Sequence, residues 1–284
     1  MLTGAFTAMV TPFDQHGEID WPGVAKLLAY NEASGMTGVV VAGSNGEGPS
    51  LSAVEKRDLV KCAVEHAGKL KIILGAGTCS LPEAVWLCGQ AQKCGAIGAL
   101  VLPPFYFNAS PSGIETWFRS LLSSVELPVI VYNFPQSTRA ELGAEMIAGL
   151  FDSFGNCIGV KDSSGSEQSM LDYLAVAAPR SRSVFVGNET LILKCLQNGG
   201  GGTISGLANS FPVLISRQVN EKSEALQALI GEGFANVKKH PQPAVHKAIL
   251  DSRGLPGGPL RPPLEPLSLE AAAEVTAYAA TFGF

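Results

Sequence analysis

The chain has 284 residues, 46% of them hydrophobic and 16% charged, with a formal net charge of −5. That apolar balance supports a sizeable core and argues against long disordered tails. With no Lys/Arg cluster and no basic stretch interleaved with aromatics, it also counts against nucleic acid as a partner.

The N-terminus has no basic region and meets Pro12 and Asp14 early, unlike a signal or transit peptide. No apolar run approaches the ~20 residues that span a bilayer, so no membrane partner is expected. Short continuous apolar runs recur at 5–10, 39–42, 72–74, 99–102, 129–131, 158–160, 184–186 and 203–204, eight in all. From the second to the seventh they begin at 39, 72, 99, 129, 158 and 184, a rhythm of about 30 residues, enough for a strand, a helix and two connections. Continuous runs suit strands buried on both faces, as in a parallel sheet. Between them, Ser52-x-x-Glu55, Ser80-x-x-Glu83 and Ser112-x-x-Glu115 each predict a capping box, the Ser oxygen and the Glu carboxylate satisfying orphan N–H groups at a helix start. After the first box, Val60, Ala63, Val64 and Ala67 share one helical face.

The pattern predicts an α/β chain, a (β/α)8 TIM barrel over 1–220. The alternative is an open doubly wound sheet, whose Gly-x-Gly-x-x-Gly loop is absent after the first run. From about Asn220 the strand rhythm stops. Segments 222–236, 241–252 and 268–281 read as helices, the last two joined by the Pro/Gly-rich stretch 254–263. Residues 221–284 are therefore expected to form a C-terminal helical region, an appendage rather than a second functional domain.

In a barrel of this kind the chemistry sits just after each strand. Lys161 directly follows Cys157-Ile158-Gly159-Val160, at the barrel mouth. A Lys there loses hydration, which favours a neutral amine able to attack a ketone and form an iminium electron sink; the alternative is a Lys that snorkels to solvent or pairs with Asp162. Tyr132 also ends a run and either shuttles a proton through a hydroxyl relay, with Ser44 as the candidate, or packs with its hydroxyl bonded. Ser44-Asn45 lies in a Gly-rich turn whose N–H groups either hold a carboxylate or simply close the turn. Tyr106, between Phe105 and Phe107, is a loop anchor or an oligomer contact. Gly199-Gly200-Gly201-Gly202 either approaches a phosphate or makes a tight turn. Cys62, Cys79, Cys88, Cys94, Cys157 and Cys195 include no Cys-x-x-Cys pair and the four His residues are scattered, so free thiols in a reducing cytosol and no metal are expected. Neither a Ser/His/Asp set nor paired carboxylates stand at adjacent strand ends.

Taken together, Thr7-Ala8-Met9-Val10-Thr11-Pro12-Phe13, Gly43-Ser44-Asn45-Gly46-Glu47, Tyr132-Asn133-Phe134-Pro135, Gly159-Val160-Lys161-Asp162-Ser163 and Arg261-Pro262-Pro263-Leu264 resemble the dihydrodipicolinate synthase/N-acetylneuraminate lyase family of class I pyruvate-dependent aldolases, along nearly the whole chain. The resemblance implies Lys161 as Schiff-base lysine, Tyr132 as proton relay and Ser44 as the relay hydroxyl. It implies Asn45 as the backbone holding the pyruvyl carboxylate, Gly187 and Ile204 as lining of the pyruvyl pocket, and Tyr106 as the residue reaching into a neighbouring subunit's site, hence a homodimer or homotetramer. Ser163, within the lysine motif, is a further substrate-binding candidate. No cofactor is implied.

One departure stands out. Dihydrodipicolinate synthases carry an Arg two residues after the Pro of the Tyr-Asn-x-Pro motif, where it binds the distal carboxylate; here that position is Ser137, and Arg139 follows two residues later. A hydroxyl does not replace a bidentate guanidinium clamp. Ser44-Asn45 together with 159–165 looks closer to the 4-hydroxy-2-oxoglutarate aldolase branch, with 2-keto-3-deoxy sugar-acid aldolases near by. The leading expectation is a cytoplasmic lyase that cleaves a 4-hydroxy-2-oxo acid to a 2-oxo acid and an aldehyde. The runner-up is 4-hydroxy-tetrahydrodipicolinate synthase, which condenses pyruvate with aspartate semialdehyde. A ligand-binding member without catalysis is the reading from another class, and the presence of both Lys161 and Tyr132 speaks against it.

Overall fold

The computed structural model describes residues 1–282. The strands are β1 (Gly4–Ala8), β2 (Gly38–Val41), β3 (Lys71–Gly75), β4 (Gly98–Val101), β5 (Val129–Asn133), β6 (Cys157–Asp162), β7 (Ser183–Val186) and β8 (Gly202–Ser205). Among the described residues these eight close into a parallel barrel in chain order, β8 pairing with β1 from Gly4↔Gly202 to Thr7↔Ser205. The expected (β/α)8 barrel is the fold, and each apolar run of the sequence lies in or against one strand.

Strand alternation explains why those runs are continuous. Side chains point in turn to the barrel interior and to the surrounding helices. Val40 belongs to an inner cluster with Phe6, Ile73, Leu100, Ile130, Phe185 and Ile204, while its neighbours Val39 and Val41 belong to the layer between strands and helices. Phe6 meets Phe185 edge to face at 5.7 Å across the inside.

Two of the three capping boxes differ from expectation. Ser52 and Glu55 form the full reciprocal box at the start of Ala53–Glu65. Ser80 accepts from the Glu83 N–H at 3.4 Å, but the Glu83 carboxylate accepts from Thr78 Oγ1 instead of closing the box. Ser112 is not a cap: Pro111 opens the helix Pro111–Ser124, so Ser110 caps it by accepting from Gly113 N, and Glu115 pairs with Arg119. Proline suits a first helical turn because its missing N–H would have no partner there, and this shifts the cap two residues upstream of the Ser-x-x-Glu pattern.

After β8 come helices Pro212–Glu221, Glu224–Val237, Ala244–Ser252 and Leu269–Thr281. They pack onto the barrel rather than hanging from it. The Arg253 guanidinium donates to the Ser210 carbonyl and lies over the Phe211 ring, and Phe211 packs on Phe282 at 4.8 Å. Gln227 bridges to the β7 side, accepting from Leu193 N and donating to the Glu189 carbonyl. All six cysteines are unpaired. Among the described residues no helix is long and apolar enough to cross a membrane.

Candidate active site

Lys161 and Tyr132 are register partners on β6 and β5. Alternation along β6 turns Gly159 and Lys161 inward and Val160 and Asp162 outward. The Lys161 side chain therefore enters the barrel mouth, where it is only 5% exposed, and its Nζ lies 4.2 Å from the Tyr132 ring centroid. Asp162 does not pair with it. On the opposite face of the strand that carboxylate accepts from Asn133 Nδ2 at 2.8 Å, Ser164 N at 3.0 Å and Ser164 Oγ at 2.9 Å. Among the described residues no carboxylate forms an ion pair with Lys161.

The same alternation carried one step past the strand ends brings Ser163 and Gly187 inward. Ser163 Oγ donates to the Tyr132 hydroxyl at 3.2 Å. A Cβ on Gly187 would stand 2.0 Å from Ser163 Oγ and 2.9 Å from Lys161 Cε, so only glycine leaves the lysine stem and this hydroxyl room. Gly206, two residues after Ile204 on β8, has a similar role: a Cβ there would meet Asn45 Nδ2 at 2.5 Å. Ser44, Asn45, Tyr132, Lys161, Ser163, Gly187 and Ile204 all line one cavity of about 510 Å³, a volume in the range of small-molecule sites. Ser44 faces this cavity without bonding Tyr132 among the described residues; the hydroxyl in contact with the phenol is Ser163. No backbone bond from the Ser44 or Asn45 N–H is made among the described residues, and both residues line the cavity.

Tyr106 is not part of this group. It is 83% exposed and packs edge-on against Phe107 at 5.5 Å, outside the cavity. The four-glycine stretch is a tight turn rather than a phosphate cradle: a Cβ on Gly200 would strike Cys195 Sγ and one on Gly202 would strike the Gly4 carbonyl. It also leads into the N-terminal end of β8, the face opposite Lys161. Ser137 lines the cavity, while Arg139, in a left-handed conformation at φ 57°, is exposed outside it.

Several lining residues escaped the sequence reading. Phe134 stacks on Tyr132 with centroids 5.7 Å apart. Gln136 Nε2 donates to the Ser164 carbonyl at 2.6 Å, tying the loops after β5 and β6 together. Phe234, Lys238 and Gln242 reach the same cavity from the C-terminal helices. Position relative to a strand end, the signal that exposed Lys161, says nothing about residues delivered by docking; Phe134 and Gln136 sat within the loop after β5 and were the detectable cases.

The Gly43–Glu47 turn is fastened from behind. Glu47, left-handed at φ 54°, is buried and meets Lys247 Nζ at 2.6 Å, while its other oxygen accepts from Arg261 N at 2.9 Å. Thr11 Oγ1 donates to the Gly46 carbonyl at 2.7 Å. Lys247 and Arg261 both lie over the Phe13 ring, each 4.5 Å from its centroid. Burial pushes the Lys247 ammonium down and Glu47 opposes that shift. Arg261 also grips Glu55 at 2.5 Å, and with help from Ser52 holds that carboxyl down at about 2. Three separated sequence motifs thus meet in one buried charge cluster behind Ser44 and Asn45. No group of three or more His, Cys, Asp or Glu side chains able to hold a metal occurs among the described residues.

The arrangement combines a buried amine, a phenol bonded to a hydroxyl, backbone N–H groups without a protein partner among the described residues, and a cavity open at the barrel mouth. It can form an imine, move protons beside it and hold a carboxylate. The profile of the Dihydrodipicolinate synthetase family matches residues 1–281. Among curated proteins, a 4-hydroxy-tetrahydrodipicolinate synthase from Azoarcus sp. (strain BH72) is 35% identical over 280 residues, covering 94% of each chain. One from Methanococcoides burtonii is 33% identical over 277 residues, covering 95% of this chain and 94% of the other. Among solved structures, the dihydrodipicolinate synthase from Aquifex aeolicus superposes with a TM-score of 0.93 at 26% identity, over 99% of this chain and 98% of that one. A prophage protein of the dihydrodipicolinic acid synthase family from E. coli K12, in complex with pyruvate, gives 0.92 at 26% identity over 100% and 99%.

Proposed function

Because the chain belongs to the dihydrodipicolinate synthetase family of class I pyruvate-dependent aldolases and lyases, we propose that Lys161 is its Schiff-base lysine and that its substrate is a 4-hydroxy-2-oxo acid. The Lys161 amine attacks the 2-oxo carbon and water leaves, giving an iminium. Tyr132, with Ser163 bonded to its hydroxyl and Ser44 across the cavity, takes the 4-hydroxyl proton. The C3–C4 electron pair then flows into the iminium, the aldehyde departs, and the enamine is protonated at C3 and hydrolysed to pyruvate and free Lys161. Ser44 and Asn45 offer N–H groups to the pyruvyl carboxylate, while Gly187 and Ile204 shape the pocket around it. The observation that carries this reading is Lys161 buried over the Tyr132 ring with no carboxylate paired to it.

Residues 1–220 supply the barrel in this reading, and Phe234, Lys238 and Gln242 of the C-terminal helical region form part of its cavity wall. Tyr106, fully presented to solvent beside Phe107, is assigned to the neighbouring site of a homodimer or homotetramer. Its exposure and aromatic character suit a residue covered by a second copy.

Borohydride reduction in the presence of pyruvate, followed by intact mass and peptide mapping, tests the assignment. Wild type should gain one reduced pyruvyl adduct on Lys161, and Lys161→Ala should gain none while keeping its fold. An adduct on another lysine would overturn it. A second reading, condensation of pyruvate with aspartate semialdehyde, is favoured by the relatives at 35% and 33% identity, both named 4-hydroxy-tetrahydrodipicolinate synthases. Ser137 in the cavity and Arg139 outside it speak for cleavage instead. Turnover with aspartate semialdehyde exceeding that with every 4-hydroxy-2-oxo acid would decide for condensation.

A further inference from the structure

Building on that reading of the site, we propose that Lys238 selects substrates whose far end carries an anion, either a carboxylate or a phosphate. The cavity is larger than a pyruvyl group fills, and around its mouth Gln136, Ser137, Asn188 and Gln242 offer neutral hydrogen-bonding groups. Among the described residues, three of its lining side chains carry formal charge: Lys161, Glu189 and Lys238. Lys161 is taken up by the imine, and its charge faces the pyruvyl carboxylate. Glu189 is buried and committed, its Oε1 accepting from Ser205 Oγ at 2.7 Å and from Leu207 N at 2.9 Å.

Lys238 alone is left for a second anion. It follows directly on the helix Glu224–Val237, one turn beyond Phe234, and its Nζ lies 5.6 Å from the Phe234 ring centroid. Lys238 is itself exposed, and its contact with Phe234, which also lines the cavity, places the ammonium beside the cavity wall. Among the described residues no carboxylate pairs with it. A substrate anchored at Lys161 and extending past the hydroxyl and amide groups to the mouth would place its terminal group beside this cation. The charge that Ser137 does not supply is thereby provided from the C-terminal region, by the residue that caps the helix Glu224–Val237.

Cleavage of three probes tests this: 4-hydroxy-2-oxoglutarate, 2-oxo-3-deoxy-6-phosphogluconate and the neutral-ended 2-oxo-3-deoxygluconate. Wild type should favour one of the two anionic probes, and which one identifies the terminal group. Lys238→Gln should raise the KM for that probe about 10- to 100-fold, the worth of one charge-assisted hydrogen bond, with kcat and the KM for the neutral probe little changed. Lys238→Arg should restore most of the loss. A wild type that prefers the neutral probe, or a Lys238→Gln variant whose KM values are unchanged or rise equally for all three, overturns the proposal. Pyruvate trapping separates the two layers: an adduct on Lys161 with an unaltered substrate profile removes Lys238 alone, whereas no adduct in wild type removes the reading beneath it.

Discussion

The contact between Tyr132 and Ser163 carries the most chemistry for a single pair of side chains. A phenol alone is a poor proton shuttle near neutral pH, and a bonded hydroxyl gives the proton somewhere to go. The structure couples that phenol at 3.2 Å to Ser163, with Lys161 Nζ 4.2 Å from the same ring. Tyr132→Phe removes the hydroxyl and keeps the ring that covers the lysine. Turnover should fall by about 100-fold or more, in the range of a lost general acid–base group, while borohydride still traps pyruvate on Lys161. Stopped-flow turnover alongside trapping reads the two separately, and a variant near the wild-type rate would contradict the relay role.

At the scale of the strand, the site is a consequence of alternation. Positions 159, 161 and 163 turn inward on and beyond β6, and 185 and 187 do so on β7, so Gly187 faces the lysine stem directly. Gly187→Ala would put a methyl 2.0 Å from Ser163 Oγ and 2.9 Å from Lys161 Cε, closer than any carbon tolerates. The hydroxyl must rotate away from Tyr132 or the lysine must leave its place over the ring. Imine formation should slow by about 10-fold or more, with a melting temperature near wild type because the barrel mouth can absorb the shift. Single-turnover trapping with pyruvate measures it, and an unchanged rate would mean that the stem does not need this gap. The same alternation made the barrel legible in the sequence: strands buried on both faces leave unbroken apolar runs, and the residue after each run is at the mouth. It made Lys161 and Tyr132 legible too. Ser163 was visible only as part of a motif, because its bond to Tyr132 depends on the register between β5 and β6. The Ser112 box misled because Pro111 sets the helix start, and Lys238 was invisible because a docking contact, not a local pattern, brings it to the cavity.

At the scale of the whole molecule, the C-terminal helices hold the barrel mouth in shape. Glu47 meets Lys247, 200 residues further on, and Arg261, 214 residues further on, and the three form a buried cluster that is costly to break because it would strand a charge. A second buried group sits at this junction. His246, on the helix Ala244–Ser252, shares a 2.8 Å hydrogen bond with Ser210 Oγ, and its Nε2 has no partner among the described residues. Burial pushes its imidazole down to about 3 from an ordinary 6.5. The unfolded chain therefore takes up a proton below 6.5 that the folded protein refuses, so the stability His246 contributes is present above that pH and declines as pH falls towards 3. At pH 5 the loss is about 2 kcal/mol, from ~1.36 kcal/mol per pH unit. Glu55, held at about 2 against an ordinary 4.5, loses its contribution only below about 4.5, so the interval between pH 6.5 and 5 isolates the histidine. His246→Asn places an amide where Nδ1 meets Ser210 and removes the titrating ring. Denaturant titrations at pH 7 and pH 5 should show wild type losing about 2 kcal/mol over that interval and the variant losing much less; equal losses in the two proteins would mean that the folded junction accepts the proton and that the buried ring is not what limits stability in mild acid.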